Sequence, residues 1–119
     1  MISTSPTMRI LVATEPVDFR KGIDGLAAIC RKQLAQDPMT GSVFVFRNRK
    51  GTAVKILLYD GQGYWLCQKR LSTGRFLHWP TSNSPVRTLQ SHQLQVLLAG
   101  GNADSADGAP LWRPVAFPA

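Results

Sequence analysis

Apolar positions along this chain follow two periods, and the switch between them marks out the elements. The run "MRILVA", residues 8–13, is short, apolar and rich in β-formers, which predicts a buried strand closed by Pro16. In "DFRKGIDGLAAICRKQL", residues 18–34, Phe19, Ile23, Leu26, Ala27, Cys30 and Leu34 recur at the spacing of one helical face. Asp18 is the expected N-cap, and "DPMTG" (37–41) supplies the stop signals. Gly22 and Gly25 each cost a helix interior about 1 kcal/mol relative to alanine, which predicts a close approach at this point.

Beyond residue 41 the pattern becomes that of a sheet. "SVFVF" (42–46), "TAVKILLYD" (52–60), "YWLCQKRL" (64–71) and "RFLHW" (75–79) are β-rich runs separated by the short turns "RNRKG", "GQG" and "STG". Turns this short predict an antiparallel β-meander of four to five strands. After Pro80 and Pro85, "SHQLQVLLAG" (91–100) has the form of a short closing helix stopped at Gly100. The expected architecture is α+β: the meander, one amphipathic helix packed on one face, and a short C-terminal helix. A single domain over residues 8–100 is expected, with 1–7 and the Gly/Ala/Pro/Asp-rich 101–119 as flexible tails.

With Gly61-Gln62 as a two-residue loop, parity alone sets the next register. Tyr59 falls opposite Tyr64, Leu57 opposite Leu66 and Lys55 opposite Gln68 on a first face; Leu58, Ile56 and Val54 meet Trp65, Cys67 and Lys69 on the second. The second face is expected to carry the amphipathic helix. A turn at Ser72-Thr73 would place Arg70 opposite Arg75 on the first face, beside Lys55, Tyr59 and Tyr64.

Charge changes this picture from a generic sheet to one with a polarity. The net charge is +7. Residues 1–43 carry a net +1, whereas 44–75 hold seven basic side chains (Arg47, Arg49, Lys50, Lys55, Lys69, Arg70, Arg75) against one carboxylate, Asp60. Like charges placed opposite one another destabilise a sheet unless an anion bridges them. Basic side chains interleaved with tyrosines suit a polyanion whose phosphates are neutralised while its sugars or bases meet the rings. The opposing reading is a solvated face whose lysines and arginines deter edge-to-edge pairing.

The chemistry of catalysis finds no constellation. Asp18 stands at a cap, Asp37 and Asp60 beside turns, and Asp104 and Asp107 in the tail, so no spacing proposes a carboxylate cluster for two metals. His78 and His92 are isolated, and Cys30 and Cys67 lie in apolar surroundings without metal-ligand spacing. "GIDG" matches the GxxG loop of KH domains, but no helix precedes it. No enzymatic role, metal or cofactor is expected. Neither a leader nor an apolar run of the ~20 residues that a bilayer requires is evident, so a cytoplasmic location is expected, with no membrane partner.

Taken in order, "DFRKGIDGL", "VFVFRNRKG", "VKILLYDGQGYWLCQKRL", "GRF", "WP" and "QLQVLLAG" resemble the TnpB accessory proteins of the insertion-sequence 66 family of bacterial transposable elements, over roughly residues 9–100. The resemblance implies an auxiliary factor of transposition encoded beside a separate transposase, and brings no catalytic residue with it. Departures include "LSTGRF" without the frequent glutamate, a tryptophan one residue further from Phe76, and the altered end after "LLAG". Residue chemistry and resemblance together predict a non-catalytic accessory protein that binds DNA at the element ends through a basic sheet face. Its expected contacts are Arg47, Arg49, Lys50, Lys55, Tyr59, Tyr64, Lys69, Arg70 and Arg75, joined by Arg20 and Lys21. The alternative is an adaptor for the element's transposase with little DNA affinity of its own.

Overall fold

In a computed structural model, which describes residues 8–105, the β-rich runs join one sheet. Its strands are β1 (Ile10–Ala13), β2 (Val43–Arg47), β3 (Ala53–Tyr59), β4 (Tyr64–Arg70) and β5 (Val86–Leu89), in the spatial order β4-β3-β2-β1-β5. β2, β3 and β4 form the expected antiparallel meander. The β3–β4 register matches the parity prediction at every pair, from Tyr59 with Tyr64 to Val54 with Lys69.

The sheet is mixed rather than wholly antiparallel. β1 runs parallel to β2, and the connection between them carries helix α1 (Ile23–Lys32), as a parallel pair requires a crossover. β5 closes the far side by pairing antiparallel with β1. "RFLHW" is not a strand: between Arg70 and Val86 the chain leaves the sheet, and Phe76 and Trp79 turn inward as anchors.

Both faces are covered, and the expected assignment of faces is reversed. α1 lays Leu26, Ala27, Ile29 and Cys30 on the first face, against Leu11, Phe44, Phe46 and Leu57, with Tyr64 and Leu66 at the margin. The second face packs Ile10, Val12, Val43, Val45 and Val54 beneath Leu94 and Leu97 of helix α2 (Ser91–Leu98) and beneath Phe76. Parity tells which residues share a face. It does not tell which face a helix will choose when both are apolar.

α1 starts later than periodicity suggested. Its N-cap is Gly22, without a side-chain cap, while the Asp18 carboxylate instead accepts hydrogen bonds from the backbone N–H and guanidinium of Arg20. Gly25 is explained by proximity: a Cβ there would stand 2.8 Å from Cβ of Lys21, so the neighbour is a side chain, not another backbone. α2 ends as expected. Gly100, at φ 90°, donates to Leu97 O at 2.9 Å and Gly101 to Val96 O at 2.8 Å, the paired bonds that satisfy a helix's last carbonyls.

The expected tail from Gly101 begins instead as packed chain. Residues Ala103–Ser105 form a short 3-10 turn, Ala103 is buried, and Asp104 forms an ion pair with Arg87 of β5. The rest of that tail, and residues 1–7, lie outside the described residues. No described helix is long and apolar enough to cross a membrane.

Candidate nucleic-acid interface

The strand directions gather the basic residues at one end of the sheet. This end holds the C-termini of β1, β2 and β4 and the start of β3, with three connections projecting from it. Backbone hydrogen bonds stitch these connections together: Val17 N–H to Arg47 O at 2.9 Å, Leu71 N–H to Thr52 O at 2.9 Å, and Phe76 N–H to Gly51 O at 2.8 Å. The β2–β3 turn is held from within by Asn48, whose side-chain oxygen accepts from Thr52 N–H and Ala53 N–H.

Five of the expected contacts meet here. Arg49 and Lys50 project from the β2–β3 turn, Arg70 ends β4 opposite Ala53, and Arg75 precedes the Phe76 anchor beside Gly51; all four are exposed. Arg47, at the end of β2, is half-buried, with its guanidinium carbon 6.0 Å from the centre of the Trp79 ring. Its Nε is buried and makes no hydrogen bond among the described residues. None of these five cations has a carboxylate partner among the described residues, where the ion pairs are Arg20–Asp18 and Arg87–Asp104. Arg70 and Arg75 therefore share an end of the sheet, but not as a cross-strand pair, because β4 pairs only with β3.

Arg20 and Lys21 lie at the same end, in the exposed loop before α1. Arg20 is engaged: its guanidinium grips Asp18 at 2.7 and 3.0 Å and, with its own backbone N–H, holds that carboxyl down to about 2. Glu15 is an exposed carboxylate of this loop.

Lys55 has a different task. It faces α1, is 7% exposed, and its ammonium donates to Phe19 O at 2.9 Å and Lys21 O at 3.1 Å while lying 4.9 Å from the Phe19 ring centre. It pins the loop that leads into α1, and the helix lies over it. A lysine flanked in sequence by Val54 and Ile56, on the same face as Leu57, carries a signal of such burial that net charge alone obscures. Lys69 points to the second face, where its Nζ donates to Leu98 O at 2.7 Å and closes the C-terminus of α2.

Tyr59 and Tyr64 stand at the opposite end of the sheet, six residue steps or on the order of 20 Å from the basic connections. Their rings meet edge-to-face at 5.1 Å, and Tyr64 packs into the α1 core with its hydroxyl buried and its pKa raised by that burial. They form no platform beside the cations. The lone carboxylate of the basic region, Asp60, is at that far end too, accepting from Gln62 N–H, Gly63 N–H and Trp65 Nε1–H; those bonds, the Gly63 amide foremost, lower its pKa.

One further surface is outside the expected set. Between the C-terminal half of α2 and the outer strands lies a groove of ≈ 590 Å³, with Val54, Ile56, Cys67, Leu94 and Leu98 in its lining. Trp65, on the same face of β4, is 58% exposed. Sequence reading assigned this face to the core, which is why it went unmarked. No group of three or more His, Cys, Asp and Glu that could hold a metal occurs among the described residues.

Comparison with known proteins adds a family to this geometry. Residues 8–107 match the family described as IS66 Orf2-like protein, TnpB of insertion sequence 66. The chain is 35% identical to the uncharacterized protein y4jC of Sinorhizobium fredii, over 96% of this chain and 97% of that one. It is 36% identical to the uncharacterized protein y4hO of the same organism, over 96% of each. No solved structure matches.

Proposed function

The chain belongs to the IS66 Orf2-like family, an accessory family of insertion-sequence elements, and from that premise we propose that it acts in transposition by binding DNA through the basic end of its sheet. The observation that carries this reading is the meeting of Arg47, Arg49, Lys50, Arg70 and Arg75, from separate strands and turns, without a carboxylate partner among the described residues. Three strand spacings, on the order of 14 Å, separate β4 from β1, enough for cations to reach phosphates on both strands across a minor groove ~6 Å wide. Such contacts position a protein on DNA and carry little sequence preference.

Fluorescence anisotropy of a labelled element-end duplex, titrated with salt, tests the proposal. Five phosphate contacts give a slope of log K against log salt of about −4.5, or a loss of roughly 500-fold between about 50 and about 200 mM salt. Reversing Arg49, Lys50 and Arg75 to Glu removes at least three contacts and flattens the slope by about 2.7. Unchanged affinity and slope in that triple variant overturn the proposal.

The groove beside α2 and the exposed Trp65 favour a second reading, an adaptor seated on the transposase of the same element. In that case the protein binds DNA weakly alone at physiological salt, and Leu98→Glu abolishes copurification with the transposase while the triple charge reversal does not.

A further inference from the structure

The basic end carries one side chain that neither charge nor packing accounts for. Leu77 is 77% exposed, against 58% for Trp65 and 50% for Met39, the other exposed large apolar side chains among the described residues. A single exposed leucine is ordinary by itself. Its mounting is what distinguishes this one.

The segment that bears Leu77 is anchored on both sides. Phe76 is 5% exposed and its N–H is bonded to Gly51 O; Trp79 packs edge-to-face on Phe76, with ring centres 6.3 Å apart, and donates through Nε1 to Ala13 O at 2.8 Å. A buried Phe76 and a half-buried Trp79 thus hold a short arc, with Leu77 and His78 exposed between them. On one side stands Arg75; across the Gly51 contact are Arg49 and Lys50. Leu77 is therefore an exposed apolar side chain on a segment that lies between cationic positions.

We propose that Leu77 is a wedge: it enters the minor groove of duplex DNA and partly unstacks a base step, while Arg75, Arg49 and Lys50 hold the flanking phosphates. An apolar side chain inserted between bases kinks DNA toward the major groove, and the bend brings more backbone onto the basic surface. Pyrimidine–purine steps, which unstack most easily, are the preferred sites, giving a sequence preference without hydrogen bonds to base edges. This inference rests on the DNA-binding reading above and adds to it the duplex form, the groove and the bend.

The test uses the full chain and a duplex of about 30 bp with a central TA step, carrying a donor–acceptor pair at its ends and 2-aminopurine at the step. The wild-type protein is expected to raise end-to-end energy transfer and 2-aminopurine fluorescence together. Leu77→Ala, a truncation at an exposed position, is expected to lose both signals, with affinity weakened about ten-fold and the salt slope retained; Leu77→Phe is expected to keep both. Binding without bending by the wild type, or equal bending by Leu77→Ala, overturns the wedge and leaves the phosphate-binding reading intact. Absence of salt-sensitive binding by the wild type overturns both.

Discussion

Replacing Lys55 with methionine separates structural charge from binding charge. Methionine keeps the unbranched stem within the first-face core but removes the ammonium, and with it the bonds to Phe19 O and Lys21 O and the contact with the Phe19 ring. Hydrogen bonds from a charged donor contribute about 1.5–3 kcal/mol each. Against this, methionine avoids the cost of keeping an ammonium away from water, which offsets part of the loss. The exposed backbone at Lys21 also regains water. A net destabilisation of about 2 kcal/mol follows, which for a domain of this size lowers the melting midpoint by about 8–16 °C. The assay pairs thermal denaturation with DNA binding at a temperature where both proteins are folded. Stability should fall while the salt slope of binding stays put. If Lys55→Met melts with the wild type and its slope flattens by about 0.9, the value for one lost phosphate contact, then Lys55 belongs to the binding surface and the reasoning is refuted.

Two other substitutions probe the same helix. Gly25→Ala gains about 1 kcal/mol of helix propensity, yet its new methyl meets Cβ of Lys21 at 2.8 Å and disturbs the loop that Lys55 holds; chemical denaturation is expected to show net destabilisation, and a more stable variant contradicts the contact. Burial pushes the Cys30 thiol up to about 12, so it stays protonated in the folded chain at pH values where the unfolded chain ionises. Stability from this group is full below the unfolded value and lost as pH rises toward the folded one. Denaturation midpoints from about pH 8 to about pH 11 should therefore fall more steeply for the wild type than for Cys30→Ala, and equal slopes refute the assignment.

Much of the architecture was legible because local rules and tertiary packing agree. The helical stripe from Ile23 to Cys30, the Gly61 turn with its register, and the stop at Gly100 each follow from a period or a backbone requirement. What escaped depended on contacts between distant segments. Val86–Leu89 is too short to declare itself a strand without β1 as its template, and Phe76 and Trp79, read as sheet residues, serve as anchors of a loop. The candidate interface was legible in composition but not in place. The excess of positive charge between residues 44 and 75 was visible, whereas its division into an exposed cluster, a buried pin at Lys55 and a helix cap at Lys69 required knowing that helices cover both faces.

The strand order has a bearing on biosynthesis. β1, apolar along its whole length, is flanked by β2 on one side and β5 on the other. Ile10 cannot meet Leu89 until the chain through Leu89 has left the ribosome. At roughly 5–20 residues per second, the flank of β1 stays bare for on the order of ten seconds in each nascent molecule. A reading frame that stops before Val86 would leave that flank bare for good and turn an accessory protein into a seed for aggregation.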